Sequence, residues 1–222
     1  MNTFAYKAIK YFLKLNSHPD LPEKINSINP YLNPEVQSAT KQFFNKYFND
    51  SKKRVYVFGI NPGRLGGGLT GISFTDPVAL REECGIKNNL GNKRELSSKF
   101  IYLLINELGG AQKFFSKFYL TAMYPLAILR NGKNYNYYDN ASLYKILKPH
   151  ITYSVKEQLA FGARKDIAIS LGKKNATFLA EINTEYNLFG KVRVLDHPRF
   201  IMQYKLKQLR EYLTEYLSVM DI

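Results

Sequence analysis

The chain has 222 residues, 45% hydrophobic and 14% aromatic, which is enough to bury a substantial core and favours one domain over residues 1–222. Its formal net charge of +14 draws it toward a polyanion, nucleic acid being the commonest. No apolar run reaches the roughly eighteen residues of a membrane span, the N-terminus lacks the apolar block of a secretory signal, and a lone Cys84 excludes an internal disulfide and suits the cytoplasm.

Phe4 to Leu15 and Pro34 to Tyr47 carry apolar residues at helical spacing, so residues 1–50 read as a helical extension broken by a turn-rich stretch with Pro19, Pro22 and Pro30. Arg54 to Ile60 is a short apolar run with β-branched and aromatic residues, a buried strand stopping at Asn61-Pro62-Gly63. Glu95 to Leu108 predicts a helix closed by Gly109-Gly110. A second strand falls within Phe118 to Met123. Residues 139–161 read as helical with an interruption at Pro149. Asp166 to Leu171 is a third strand, Asn175 to Tyr186 a helix, and Val192 to Leu195 a fourth strand ending at Asp196-His197-Pro198. Phe200 to Leu217 predicts a closing helix.

Short apolar strands alternating with helices predict an α/β protein, a three-layer α/β/α sandwich around a mostly parallel four-stranded sheet. In such sheets ligands sit beyond the carboxyl ends of the strands, which puts Asn61 and His197 on one rim. The basic clusters, Lys52-Lys53-Arg54, Lys93-Arg94, Lys173-Lys174 and Arg199 through Arg210, are spread along the chain, as a folded face with several phosphate contacts would require.

Gly59 to Phe74 holds glycines at 59, 63, 66, 67, 68 and 71, a density that lets backbone approach a ligand closely. Gly66-x-Gly68-x-x-Gly71 formally matches a dinucleotide fingerprint, but it starts well after the strand and leads into Ser73-Phe74-Thr75-Asp76-Pro77 rather than a helix. The residues taken singly also have plain readings. Asn61 before proline suits a turn, Phe74 suits a core, Asp76 and Asp196 suit caps, and His18 and His150 suit proline-flanked surface loops. Cys84 has no activating base nearby in sequence.

Gly59, Asn61-Pro62-Gly63, Gly66, Thr70-Gly71 and Phe74, together with Asp196-His197-Pro198, resemble the two signatures of the single-strand-selective monofunctional uracil-DNA glycosylases, within the uracil-DNA glycosylase superfamily. The resemblance covers roughly residues 54 to 210. It implies that Asn61 orients the attacking water and that the backbone from Ile60 to Gly63 binds the base and the water. Phe74 then stacks on the flipped base, and His197 donates to its O2. Arg199-Phe200-Ile201 enter the duplex, and Arg64 joins Arg199 in holding DNA.

Such chemistry is physically coherent. Charge grows on the departing base while the sugar becomes oxocarbenium-like, so waiting donors lower the barrier and water needs mainly orientation. No metal and no cofactor is implied, and His18, His150 and His197 are far apart in sequence. One departure stands out. The family carries a base-reading Asn before a Cys-Pro-Leu segment, whereas here Leu120 to Leu126 places Ala122 at that point, leaving the Thr121 hydroxyl or nearby backbone to read the base. Uracil, 5-hydroxymethyluracil and xanthine all stay open as lesions. The expected partner is damaged DNA, single- or double-stranded, acted on by a monomer in the cytoplasm, alongside the nucleoid in a bacterium. A DNA-binding protein that kept the fold and lost the chemistry is the alternative, and a nucleotide-dependent enzyme using the glycine loop is the third reading.

Overall fold

The computed structural model describes residues 2–15 and 21–222. His18 lies outside them. Thr3 accepts from the Tyr6 N–H and starts α1 (Phe4–Phe12). A first strand, β1 (Ile25–Ile28), follows, then α2 (Pro34–Phe48), which Asn33 caps by accepting from Glu35 N–H. The extension over residues 1–50 is therefore not purely helical, as the sequence predicted, because β1 pairs antiparallel with a strand far along the chain.

The strand β2 (Arg54–Gly59) is buried throughout. After the glycine loop come α3 (Gly67–Thr70), α4 (Pro77–Glu82), α5 (Leu96–Glu107) and α6 (Ala111–Lys117), the last running straight into β3 (Phe118–Ala122). Two short strands, β4 (Ala127–Arg130) and β5 (Lys133–Tyr135), form a hairpin that joins β1 in a three-stranded antiparallel sheet. The chain closes with α7 (Ala141–Leu159), β6 (Ala163–Leu171), α8 (Lys173–Tyr186), β7 (Lys191–Leu195), α9 (Pro198–Tyr204) and α10 (Leu209–Met220).

The central sheet has the order β3-β2-β6-β7, and every pair in it is parallel. Helices flank it, as the predicted α/β/α sandwich requires. All four carboxyl ends therefore open on one edge, and Gly59, Ala122, Leu171 and Leu195 mark that rim. Among the described residues no helix is long and apolar enough to cross a membrane.

Two helices differ from their predicted form. Helix α7 continues through Pro149, because that ring faces solvent while Leu143, Leu147, Ile151 and Val155 carry one buried stripe past it. His150 accordingly sits on a helix rather than in a loop. The closing helix breaks at Lys205, so α9 and α10 are separate.

Burial also redraws the basic surface. Arg54 is fully buried at the start of β2, where its guanidinium meets Asp50 at 2.9 Å and the Phe115 carbonyl at 2.7 Å, with the Phe4 and Phe48 rings beside it. It stitches the sheet to the helical layer and cannot reach a phosphate. Cys84 is buried against the Tyr102 hydroxyl, and desolvation pushes its thiol up to about 11, which suits a packing residue rather than a nucleophile.

Candidate active site

At the rim an open cleft of about 710 Å³ gathers Ile60, Asn61, Gly63 and Arg64 from the glycine loop, Phe74 beyond it, and Ala122 from the end of β3. His197, Arg199 and Phe200 close it from the β7–α9 side. Nine of the eleven predicted site residues thus line one cavity. The two others do not. Thr121 alternates to the opposite face of β3, where its hydroxyl is taken by Gln158, so it cannot read a base. Ile201 is fully buried on the inner face of α9 and cannot enter a duplex, whereas Phe200 remains 39% exposed and forms a ring pair with Tyr204.

The amide of Asn61 is held at both ends by the last residue of β5 and the segment just after it. Its Nδ2–H donates to the Tyr135 carbonyl at 3.1 Å, and its Oδ1 accepts from the Tyr137 N–H at 3.2 Å. One N–H and one lone pair stay available. Next to it, Arg64 N–H donates to Asn134 Oδ1 at 2.9 Å. Tyr137 is itself fixed, because its hydroxyl donates to Asn175 Oδ1 at 2.8 Å while Asn175 Nδ2 donates to the Phe58 and Gly59 carbonyls at the end of β2. The clamp on Asn61 is thereby tied to the sheet. Sequence reasoning missed Asn175, since a buried asparagine leaves no motif, and missed the hairpin, for which Asn131-Gly132 was the available signal.

Phe74 has φ of 57°, a left-handed conformation that costs a non-glycine residue of order 1 kcal/mol or more. The strained turn lays its ring over Gly59, where an added Cβ would come within 2.5 Å of Phe74 Cζ. Its centroid stands 5.9 Å from the His197 ring.

His197 is the N-cap of α9, its Nδ1 accepting from the Arg199 N–H at 3.2 Å. A neutral imidazole that accepts at Nδ1 carries its proton on Nε2, so this ring is left with one free donor. Burial, then the neighbouring Arg199, pushes its pKa down to about 4, which keeps it neutral near pH 7. Asp196 does not cap, as the sequence allowed; it faces Lys173 at 3.6 Å. Asp76 does cap, accepting from Ala79 N–H at 2.8 Å on one oxygen and from Glu95 N–H at 2.8 Å on the other. Glu95 also lines the cleft, and desolvation raises its pKa to about 7. An acidic residue at a helix start looks ordinary in sequence, which is why it went unread.

The geometry is an open cleft with an oriented amide, a neutral donor, an aromatic face and cations at its mouth. A comparison with protein families matches residues 45–220 to the uracil DNA glycosylase superfamily. Comparison with curated proteins gave no match. Among solved structures, the crystal structure of wild-type Pedobacter heparinus SMUG2 is similar at a TM-score of 0.94 and 40% sequence identity, covering 99% of this chain and 97% of that one. The family match and the shared fold agree with the cleft: this chain belongs to the uracil-DNA glycosylase superfamily and is a SMUG-like monofunctional glycosylase, a hydrolase that cuts the N-glycosidic bond of a damaged base in DNA during base-excision repair.

Proposed function

We propose that Asn61 positions the attacking water and that His197 stabilises the departing base through its Nε2–H, on uracil or a related deaminated or modified base flipped onto Phe74. The clamped Asn61 amide, facing the same cleft as the free donor of His197, carries this reading. Extrusion lets the base leave the stack. As the glycosidic bond stretches, the sugar becomes cationic and negative charge gathers on the base oxygen. A neutral donor already in place lowers that barrier without reorganising. Water then attacks a strong electrophile, so a neutral amide that orients it suffices. The backbone from Ile60 to Gly63 lies along the base, and no cofactor enters the reaction.

Arg64 and Arg199 meet phosphates at the mouth, and Phe200 fills the vacated space in the duplex. Ala122 offers a small apolar wall where a side-chain amide would read the base, which favours a broader lesion range that includes xanthine and 5-hydroxymethyluracil. The whole chain serves as one domain, with residues 2–15 and 21–48 packed as part of it. The cleft is complete within one chain, in keeping with a monomer, and a reducing cytoplasm suits the buried free thiol.

Single-turnover excision from oligonucleotides carrying each lesion, read as strand breaks after alkali, tests the assignment. Asn61→Ala is expected to lose roughly 100-fold or more in rate. The protein should stay folded, with about 1–2 kcal/mol lost from the two hydrogen bonds to residues 135 and 137. A parental rate in that variant overturns the role of Asn61.

A further inference from the structure

Among the described residues, Glu95 is the one acidic side chain lining the cleft, and the reaction above leaves it unused. Its backbone is anchored by Asp76, and its side chain turns onto the glycine loop, where a Cβ added at Gly63 or at Gly66 would overlap the carboxylate oxygens. Neighbouring acids are engaged: Glu82 with Arg94, Asp196 with Lys173, and Asp139 with Asn136. The Glu95 carboxyl has no hydrogen bond or ion pair among the described residues, yet it shares the cleft with Phe74, Ala122 and His197.

A carboxylate there is unfavourable, since it faces DNA phosphates and a base that leaves with negative charge. A carboxyl O–H lying against the glycine loop at the wall of that space is a donor. We propose that Glu95 contacts the flipped base, its carboxyl O–H donating to a base carbonyl oxygen as charge gathers there, in place of the side-chain amide that Ala122 lacks. This rests on the reading of the cleft as the base pocket. Burial favours the protonated form and holds the pKa near 7; Arg199 from α9 opposes this, and Asp76 from the loop before α4 reinforces it. Among the described residues, Arg64, Arg94, Lys133, Tyr204 and the neutral His197 are the other charged or titratable groups lining the cleft.

The test compares parent, Glu95→Gln and Glu95→Ala in single-turnover excision of uracil, xanthine, hypoxanthine and 5-hydroxymethyluracil between pH 6 and 8. Affinity for DNA with a tetrahydrofuran abasic analogue, which has no base to contact, is measured alongside. On the favoured lesion the parental rate should fall as pH rises through about 7. Glu95→Ala should lose about tenfold or more at pH 6. Glu95→Gln keeps a donor, so it should stay within about threefold of the parent at pH 6 and lose the pH-dependent fall. Binding of the abasic analogue should be unchanged in both variants.

The proposal is overturned if Glu95→Ala matches or exceeds the parent on every base. It is equally overturned if abasic binding and thermal midpoint drop in step with the rate, which makes the carboxyl a scaffold group, or if Glu95→Gln retains the parental fall. Failure of the pocket reading itself would look different, because Asn61→Ala would then also excise at the parental rate.

Discussion

His197 does two things through two nitrogens, and the two can be separated. Nδ1 caps α9, while Nε2–H stays free for the proposed contact with the base. Asparagine is a good N-cap with a shorter reach, so His197→Asn should keep α9 capped and lose roughly 100- to 1,000-fold in excision rate. The sign of its pH effect follows from a pKa held near 4, below the ordinary 6.5. The unfolded chain takes up this proton first, so the stability that neutral His197 contributes is present above pH 6.5 and is lost as pH falls toward 4. Relative to His197→Asn, the parent should therefore lose thermal stability on acidification across that window, and its excision rate should show no inflection near 6.5 from this ring. A stability gap that stays constant from pH 7 to 4 would contradict the buried neutral imidazole.

The glycine loop is the element on which the cleft depends, and Gly71 is where it combines a left-handed backbone with close packing. With φ of 73° it ends α3 in a left-handed turn, and an added Cβ would fall 2.7 Å from the Tyr31 ring and 2.9 Å from Val36 Cγ1. Tyr31 also donates to the Gly71 carbonyl at 2.6 Å. Gly71→Ala should cost about 2 kcal/mol or more from backbone strain and overpacking together, lowering the thermal midpoint by several degrees. A midpoint equal to the parent's would mean the loop relaxes freely. Gly132→Asn is the control, since its turn is also left-handed but open. Elements of this kind differ in how plainly they are written. The four strands of the central sheet were readable because β2, β3 and residues 167–171 of β6 are covered on both faces and run mostly apolar, while the half-exposed edge strand β7 keeps its β-branched Val192 and Val194. The second sheet was not, because β1 reads Ile-Asn-Ser-Ile and β5 Lys-Asn-Tyr, too short and polar to show a period. Only Asn131-Gly132, the two-residue turn between β4 and β5, signalled the hairpin that clamps Asn61. Likewise, the directions of Thr121 and Ile201 depend on which face of a strand or helix looks inward, which adjacency to a motif does not specify.

At the scale of the whole molecule, charge and catalysis meet at Arg199. Of the 32 Lys and Arg residues, fully buried Arg54 does not face a polyanion, whereas exposed Arg64, Lys133 and Arg199 ring the cleft mouth. Each phosphate neutralised releases counterions, so affinity should fall steeply with salt, and Arg199→Ala should flatten the slope of log affinity against log salt by about 0.9. The same guanidinium holds the Glu95 pKa down from where burial alone would set it, and it helps keep His197 neutral. Its removal should therefore move the alkaline fall in excision rate to higher pH, even as DNA binding weakens. A variant that binds less tightly at every salt concentration but keeps both the parental slope and the parental pH limb would show that Arg199 acts through neither phosphate nor carboxyl, and would separate the field at the mouth from the chemistry in the cleft.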